Sequence, residues 1–296
     1  YLYGLADRFL IMKEGRICEE LTGEEMAKLS ASQMRSRRLR PLNLNTIQIE
    51  KIEPIGHSEV FLQIKNMSFS HKAMPELLHS ISIEAHKGET IALVGENGCG
   101  KTTFGKILSG LIRCRQGGFF IDGKNVKQRK LSFVMQEADH QLYTDSVTEE
   151  LRLGNKKIPG IDEKVSRILK MLHLENFKDC HPYALSGGQK QRVAIVRSLL
   201  MHPEVILFDE VTASLDPEMV REVLELINDL AQEGRTMLIV THELQFARAI
   251  ADRIIFMDKG VIAEEGTAEE FFNHPKTQRA QEFLNVFDFS QFGAYL

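Results

Sequence analysis

The sequence predicts an α/β protein: a core with a parallel sheet and flanking helices, and a mostly helical subdomain. Three observations predict it. Short strand-like runs alternate with helical patterns from residue 60 onward, the arrangement that builds a sheet between layers of helices. The run Val205-Ile206-Leu207-Phe208 is short and uniformly apolar, as a strand buried on both faces of a parallel sheet must be. A glycine-rich string from Gly95 to Gly100 lies between an apolar strand pattern and a helical one.

Residues 60–68 alternate enough to be a strand, and 78–84 and 90–94 are further strands. Helical patterns follow at 102–111, 162–172, 189–200 and 217–232, and a second wholly apolar strand at 236–240. The stretch 142–185 is mostly helical and is expected to form the subdomain.

A length of 296 residues suits one large domain or two small ones. With 43% hydrophobic residues the chain can fill a sizeable core. A net charge of −4 supplies no global basic field, so no nucleic-acid partner is expected. One basic run, Arg35 with Arg37, Arg38 and Arg40, reads as a solvated linker, with an anionic-lipid or RNA contact as the other reading. Cys18, Cys99, Cys114 and Cys180 lie far apart without metal-like spacing and are expected to be reduced thiols. No apolar run reaches the roughly 18 residues of a membrane helix, and Asp7, Arg8, Lys13 and Glu14 would interrupt a signal peptide. The chain is therefore expected in the cytosol, with a partner supplying any membrane part.

The two ends of the chain repeat each other. Residues 5–26 and 250–271, offset by 245, agree at eleven of 22 positions, among them Asp7/Asp252, Arg8/Arg253, Gly15/Gly260, Glu19/Glu264, Thr22/Thr267 and Glu25/Glu270. Each copy reads as a strand, a tight turn with Gly, a second strand and an acidic helix start. The chain begins with Tyr1, and the simplest account is a truncated tandem protein. Residues 1–29 are then the remnant of a first domain, 30–58 a linker, 59–275 a complete second domain and 276–296 a C-terminal tail.

The chemistry is carried by three strings. Gly95-Glu96-Asn97-Gly98-Cys99-Gly100-Lys101-Thr102 fits a phosphate-binding loop. Its glycines let backbone N–H groups converge on phosphate oxygens, and the helix start adds its positive dipole end. Lys101 is expected to reach the β- and γ-phosphates, Thr102 to bind Mg²⁺, and Thr103 to add an α-phosphate contact. The strand Val205–Asp209 ends in Asp209-Glu210, where Asp209 suits Mg²⁺ and Glu210 suits a general base in phosphoryl transfer. The string Leu185-Ser186-Gly187-Gly188-Gln189 places glycines and a serine before another helix, a second anion-binding helix start.

With that string the sequence resembles the ABC ATPase family, whose signature it is, over nearly all of residues 60–275. The resemblance implies an ATPase using ATP and Mg²⁺, built as an α/β P-loop domain whose mixed sheet has flanking helices and a helical subdomain. It makes Gln136 the Q-loop glutamine, at the metal and among the catalytic residues, Ser214-Leu215-Asp216 the D-loop and His242 the switch histidine. It implies that two such domains clamp two ATPs head to tail. Ser186, Gly187, Gly188 and Gln189 of one would then face the γ-phosphate held by the other. Two positions depart from the family's pattern. The adenine-stacking aromatic falls on His71, with Phe69 as the alternative, and Val211 stands where Pro is common.

Val134-Met135-Gln136-Glu137-Ala138-Asp139-His140-Gln141-Leu142-Tyr143 and His181-Pro182-Tyr183-Ala184 resemble ATPase subunits of energy-coupling-factor transporters, many of them tandem two-cassette proteins. That resemblance implies three partners: a second ABC domain, an integral membrane coupling protein and a substrate-binding membrane subunit. It also implies a peripheral position on the cytoplasmic face of the membrane. The tail at 250–275 is similar to polar amino-acid importer ATPases. The rival reading is a soluble ABC ATPase acting on ribosomes or DNA. Soluble tandem members usually carry an NHLD-type string after the catalytic glutamate, whereas Val211-Thr212-Ala213 stands here.

Overall fold

A computed structural model of the chain describes residues 7–13, 16–29, 33, 60–71, 74–114, 116–125, 131–154, 159–172, 174–213, 215 and 217–287. The chain divides into two compact units, one of residues 1–48 and 216–218 and one of residues 49–215 and 219–296. The expected linker at 30–58, except Gln33, lies outside the described residues, as does its basic run.

In the first unit β1 (Arg8–Lys13) and β2 (Arg16–Thr22) pair antiparallel and lead into α1 (Gly23–Ala27). Thr22 caps the helix reciprocally. Its hydroxyl accepts from the Glu25 amide at 3.3 Å, and the Glu25 carboxylate accepts from the Thr22 amide at 2.9 Å. Two otherwise orphaned donors are satisfied by one pair of side chains.

The second unit opens with a long hairpin, β3 (Val60–His71) and β4 (Met74–His86). β5 (Thr90–Gly95) runs into the glycine-rich loop and α2 (Lys101–Leu108). Next come β6 (Gln116–Ile121), β7 (Lys124–Asn125) and β8 (Leu131–Val134). A helical stretch follows, with α3 (Val147–Arg152), α4 (Ile161–Met171) and α5 (Gly187–Leu200). The chain returns to the sheet through β9 (Val205–Asp209), α6 (Pro217–Gln232), β10 (Thr236–Val240) and α7 (Leu244–Ile250). It closes with β11 (Arg253–Asp258), β12 (Val261–Thr267), α8 (Ala268–Asn273) and α9 (Gln278–Phe287).

The main sheet has six strands in the order β12-β11-β5-β10-β9-β8. All neighbours are parallel except β12, which is antiparallel to β11. A second, antiparallel sheet has the order β4-β3-β6-β7. The predicted mixed α/β architecture is therefore present. β9 shows why its sequence is apolar throughout. Val205 and Leu207 enter a core shared with Ile64, Ile81 and Phe104, while Ile206 and Phe208 enter another shared with Val223, Leu224 and Ile227 of α6. Successive side chains point to opposite faces, and both faces are covered. Each such side chain stabilises the fold by about 2 kcal/mol.

A third core joins Val147 and Leu151 of α3, Val165 and Leu169 of α4, and Val193 and Leu200 of α5. The helical stretch is thus packed on the outer face of α5. β6 and β8 are strands that the sequence pattern does not announce, and β3 and β4 run longer than 60–68 and 78–84. The stretch expected as a tail carries α9, which buries Ala280 and Phe283, the latter with its ring centroid 4.9 Å from that of Phe256.

The end repeat extends to hydrogen-bond register. Arg8 pairs with Thr22 as Arg253 pairs with Thr267. The irregularity between Ile11 and Met12 recurs between Phe256 and Met257. The Thr267–Glu270 pair repeats the capping box at 2.9 and 3.2 Å. Even the amide after each cap donates to the corresponding aspartate carbonyl, Gly23 to Asp7 at 3.2 Å and Ala268 to Asp252 at 3.3 Å.

Candidate nucleotide site

Three neighbouring parallel strands, β5, β10 and β9, deliver the candidate residues at their C-terminal ends. Register aligns them: Val240 lies opposite Leu93 on one side and Asp209 on the other. This is where open α/β sheets hold ligands.

The loop after β5 closes on itself. Lys101, 5% exposed, donates from Nζ to the Gly95 and Glu96 carbonyls at 2.9 Å each. Gly95 has φ +149°, and a Cβ there would meet the Met257 carbonyl oxygen at 2.2 Å. Gly95→Ala is therefore expected to destabilise the fold by about 2 kcal/mol and to displace the loop. A drop in urea midpoint together with weakened nucleotide binding checks this. Gly98 and Gly100 also have positive φ, +84° and +107°. Asn97 and Gly98 are exposed, whereas Cys99 is buried, its thiol pushed up in pKa by that burial despite nearby Lys101. The start of α2, capped by Gly100, has no side-chain cap. The first-turn amides, from Lys101 to Thr103, have no partner within the helix, and a helix start of this kind suits an anion.

Across from the loop, the Thr102 hydroxyl donates to Asp209 Oδ1 at 3.0 Å. Asp209 is 2% exposed. Burial pushes its carboxyl above the usual carboxylate range, Glu210 adds to the rise, and the Thr102 hydrogen bond, Lys106 and Lys101 oppose it. A hard divalent cation takes oxygen ligands, and Mg²⁺ commonly uses one or two from protein with the rest from phosphates and water. Thr102 and Asp209 form a donor set of that kind. Among the described residues no group of three or more His, Cys, Asp or Glu is placed to hold a metal by itself.

Glu210 follows with φ +46°, a left-handed conformation uncommon for its residue type. Its amide donates to the Val240 carbonyl, and its carbonyl accepts from Ala213, both at 2.9 Å. Strain of this kind persists where surroundings impose it, and it clusters at functional sites. His242 Nδ1 lies 3.9 Å from Glu210 Oε2, and its side chain is 48% exposed. Lys101, Thr102, Asp209, Glu210 and His242 thus form one group.

The signature residues form another. Ser186 caps α5, accepting from the Gln189 amide at 3.4 Å, while Gln189 Oε1 accepts from the Ser186 amide at 2.9 Å. A Cβ on Gly188 would meet the Met219 sulfur at 2.4 Å, so only glycine fits there. Gly187 is exposed. Among the described residues no hydrogen bond or ion pair joins Ser186–Gln189 to the group around Lys101. Gln136 is exposed just past β8. Phe69 is half-buried against the inter-sheet core, and the side chain of His71 lies outside the described residues, as do Ser214 and Asp216.

Sequence reasoning missed what ties α5 to the segment around Gln136. Gln191, 1% exposed, donates from Nε2 to the Met135 carbonyl at 3.0 Å, and Lys190 pairs with Asp139 at 2.8 Å. Arg197 donates to the Gln141 carbonyl and pairs with Glu150, whose side chain is fully buried. The available signal was Arg197 itself, a charge in an otherwise apolar helical run, which calls for a buried partner.

Comparison with known proteins places these features. The ABC transporter family model matches residues 78–213. A Treponema denticola protein named as an ABC transporter ATP-binding protein is 34% identical over 91% of this chain, which spans 56% of that relative's length. The glutamine transport ATP-binding protein of Geobacillus stearothermophilus is 40% identical, over 71% of this chain and 92% of its own. The structure of cbiO1 from Clostridium perfringens, part of the ABC transporter complex cbiONQ, superposes with a TM-score of 0.65 at 29% identity. It covers 80% of this chain and 98% of its own.

Proposed function

This chain belongs to the ABC transporter ATP-binding proteins and its domain is an ABC-type ATPase, and we propose that it energises uptake of a small solute by hydrolysing MgATP between its own phosphate loop and a partner's signature. The observation that carries this is the grouping of Lys101, Thr102, Asp209, Glu210 and His242 at three adjacent strand ends, with Thr102 and Asp209 3.0 Å apart.

Each residue has a task. The amides of Gly98 to Thr103 and the Lys101 ammonium bind the phosphate chain. Asn97 and Cys99 shape the loop that carries them. Thr102 and Asp209, with Gln136, hold Mg²⁺, which when bound offsets the charge of the phosphates. Glu210 orients a water molecule and takes its proton, and His242, beside it, fixes that carboxylate and contacts the γ-phosphate. His71 stacks on adenine. Ser186, Gly187, Gly188 and Gln189 serve the opposite site of a head-to-tail dimer, which accounts for their separation from the Lys101 group within one chain.

The second ABC domain is, in this proposal, a preceding cassette of the same polypeptide. The register-for-register match between β1–β2–α1 and β11–β12–α8 supports it. Tyr143, Tyr183 and Met201, 69%, 59% and 59% exposed, lie on the helical stretch stitched to Gln136. We assign that surface to a membrane coupling protein, which puts the chain on the cytoplasmic face. Among the described residues no helix is long and apolar enough to cross a membrane. Energy-coupling-factor-type uptake of a vitamin, metal ion or other small solute, alongside a substrate-binding membrane subunit, is favoured by the Val134–Tyr143 string and the likeness to cbiO1. Amino-acid import is the second reading, favoured by 40% identity to the glutamine transporter subunit.

The head-to-tail arrangement is tested on this chain alone, where a second copy of its complete domain takes the place of the preceding cassette, by mixing two inactive variants. Lys101→Ala removes the phosphate ligand. Ser186→Asp keeps a good helix cap but sets a carboxylate against the partner's γ-phosphate. Each alone is expected to be inactive. Their equimolar mixture is expected to regain roughly a quarter of wild-type ATPase activity, because half the dimers are mixed and each of those has one intact site. A mixture as inactive as its components would refute the arrangement.

A further inference from the structure

We propose that Arg279, on the C-terminal helix α9, is a positioning residue for the phosphate loop, neutralising the loop's own carboxylate, Glu96. This rests on the loop being the ATP site. Arg279 Nη2 lies 2.6 Å from Glu96 Oε1, and its Nε lies 3.3 Å from Asp258 Oδ2. Glu96 belongs to the loop itself, since its carbonyl accepts from Lys101. β11 and β5 are parallel with Met257 opposite Gly95, so Asp258 and Glu96 are the next residues at adjoining strand ends. Two carboxylates therefore stand together where a triphosphate of several negative charges must bind. Like charges there repel each other and the ligand. A single guanidinium, which also pairs with Glu282 on its own helix at 3.4 Å, serves both carboxylates through its planar fork, offsets part of that repulsion and holds Glu96 against β11.

α9 does not depend on Arg279 for its seat. Glu264 accepts from the Lys276 and Thr277 amides at 2.8 Å each and from the Thr277 hydroxyl at 2.7 Å, which fixes the helix start. Ala280 and Phe283 are buried against the Phe256 and Phe271 cluster. Loss of Arg279 thus leaves the helix in place and exposes the charge problem at the loop. Glu96 is 56% exposed on its side chain and Arg279 34%, so solvent limits the size of the effect.

The test is a set of MgATP titrations and steady-state rates on the full chain: wild type, Arg279→Gln, Arg279→Lys and the double variant Arg279→Gln with Glu96→Gln. Arg279→Gln is expected to weaken MgATP binding about fivefold and raise KM alike, with kcat at saturating ATP little changed. Removing the Glu96 charge as well is expected to restore wild-type affinity, and Arg279→Lys to retain most of it. Unchanged affinity in Arg279→Gln, or a loss that the double variant does not recover, overturns the proposal, the latter making Arg279 merely structural. A wild type without affinity for MgATP removes the nucleotide site itself, and the proposal with it. The wild-type titration separates that result from the others.

Discussion

Replacing Glu210 by Gln is expected to lower ATP turnover by about 10²–10⁴-fold while leaving MgATP binding at the wild-type level. Gln keeps the shape of the side chain and its ability to orient water, but its amide cannot accept a proton from that water. The groups proposed to hold ATP, Lys101 with the loop amides and Thr102 with Asp209, do not involve the Glu210 carboxylate, since Asp209 takes the Thr102 hydroxyl through its own Oδ1. The left-handed backbone at Glu210 is fixed by hydrogen bonds of its amide and carbonyl, so the substitution leaves the strand end in place. Phosphate release under saturating MgATP and an equilibrium titration with the same protein check both halves. Hydrolysis close to the wild-type rate would remove Glu210 from the role of general base. An equal loss of binding would make it a ligand of the nucleotide or its metal.

The second large effect is expected at Glu150, far from that chemistry. Its side chain is fully buried and its partners are Arg197, the Tyr143 and Thr144 amides, each at 2.9 Å, and the Thr144 hydroxyl. Glu150→Ala leaves Arg197, only 13% exposed, without its carboxylate and orphans two amides. A loss of about 3–5 kcal/mol in unfolding free energy is expected, measured as a shift of the urea midpoint. Removing both partners, in Glu150→Ala with Arg197→Met, is expected to recover part of that loss, because no unpaired charge then remains. A single variant with wild-type stability would show that the pair contributes nothing. The same carboxylate carries a pH signature. Burial alone would raise its pKa. The Thr144 and Tyr143 amides, then Arg197, outweigh burial, and the net shift is downward from 4.5. A carboxyl lowered on folding contributes its stability in full above its unfolded pKa. That contribution is lost as pH falls through the lower folded value. The wild type is therefore expected to lose more stability than the double variant as pH falls below about 4.5.

Much of the architecture was legible because its signals are local. The strand–loop–helix from Ile91 to Leu108 shows in the switch from apolar run to glycines to a helical pattern. The buried strand ending at Asp209 shows in its uniform apolarity. The end repeat is legible residue by residue, down to the Thr and Glu of each capping box. Other parts were hidden for physical reasons. β6 carries Gly117 and Gly118 and owes its strand state to pairing with β3, and β8 has too few residues to display a period. α9 did carry Ala280, Phe283 and Leu284 at helical spacing, but the family resemblance that orders the rest of the chain ends near residue 275. At the site, the residue types and their order were legible, whereas their supports were not. Gln191 gripping the Met135 carbonyl and Arg279 holding Glu96 join segments that only the folded chain brings together.

The position of β5 in the main sheet bears on how the chain is made. Its two neighbours are β10 and β11: Met237 lies opposite Thr90, and Arg253 opposite Ile91. Both are synthesised long after it, so on the ribosome β5 emerges as an apolar strand with neither edge covered. Pairing over such sequence separations is slow, because a long loop must close before any contact rewards it. Until then the strand is a candidate for wrong pairing with other chains. All residues of the phosphate loop exist by residue 103, yet the strand that holds the loop in place is flanked only when β10 and β11 have been made. Competence to bind nucleotide is accordingly among the last properties the nascent domain acquires, and a chain stalled short of β10 leaves the apolar strand β5 without either neighbour.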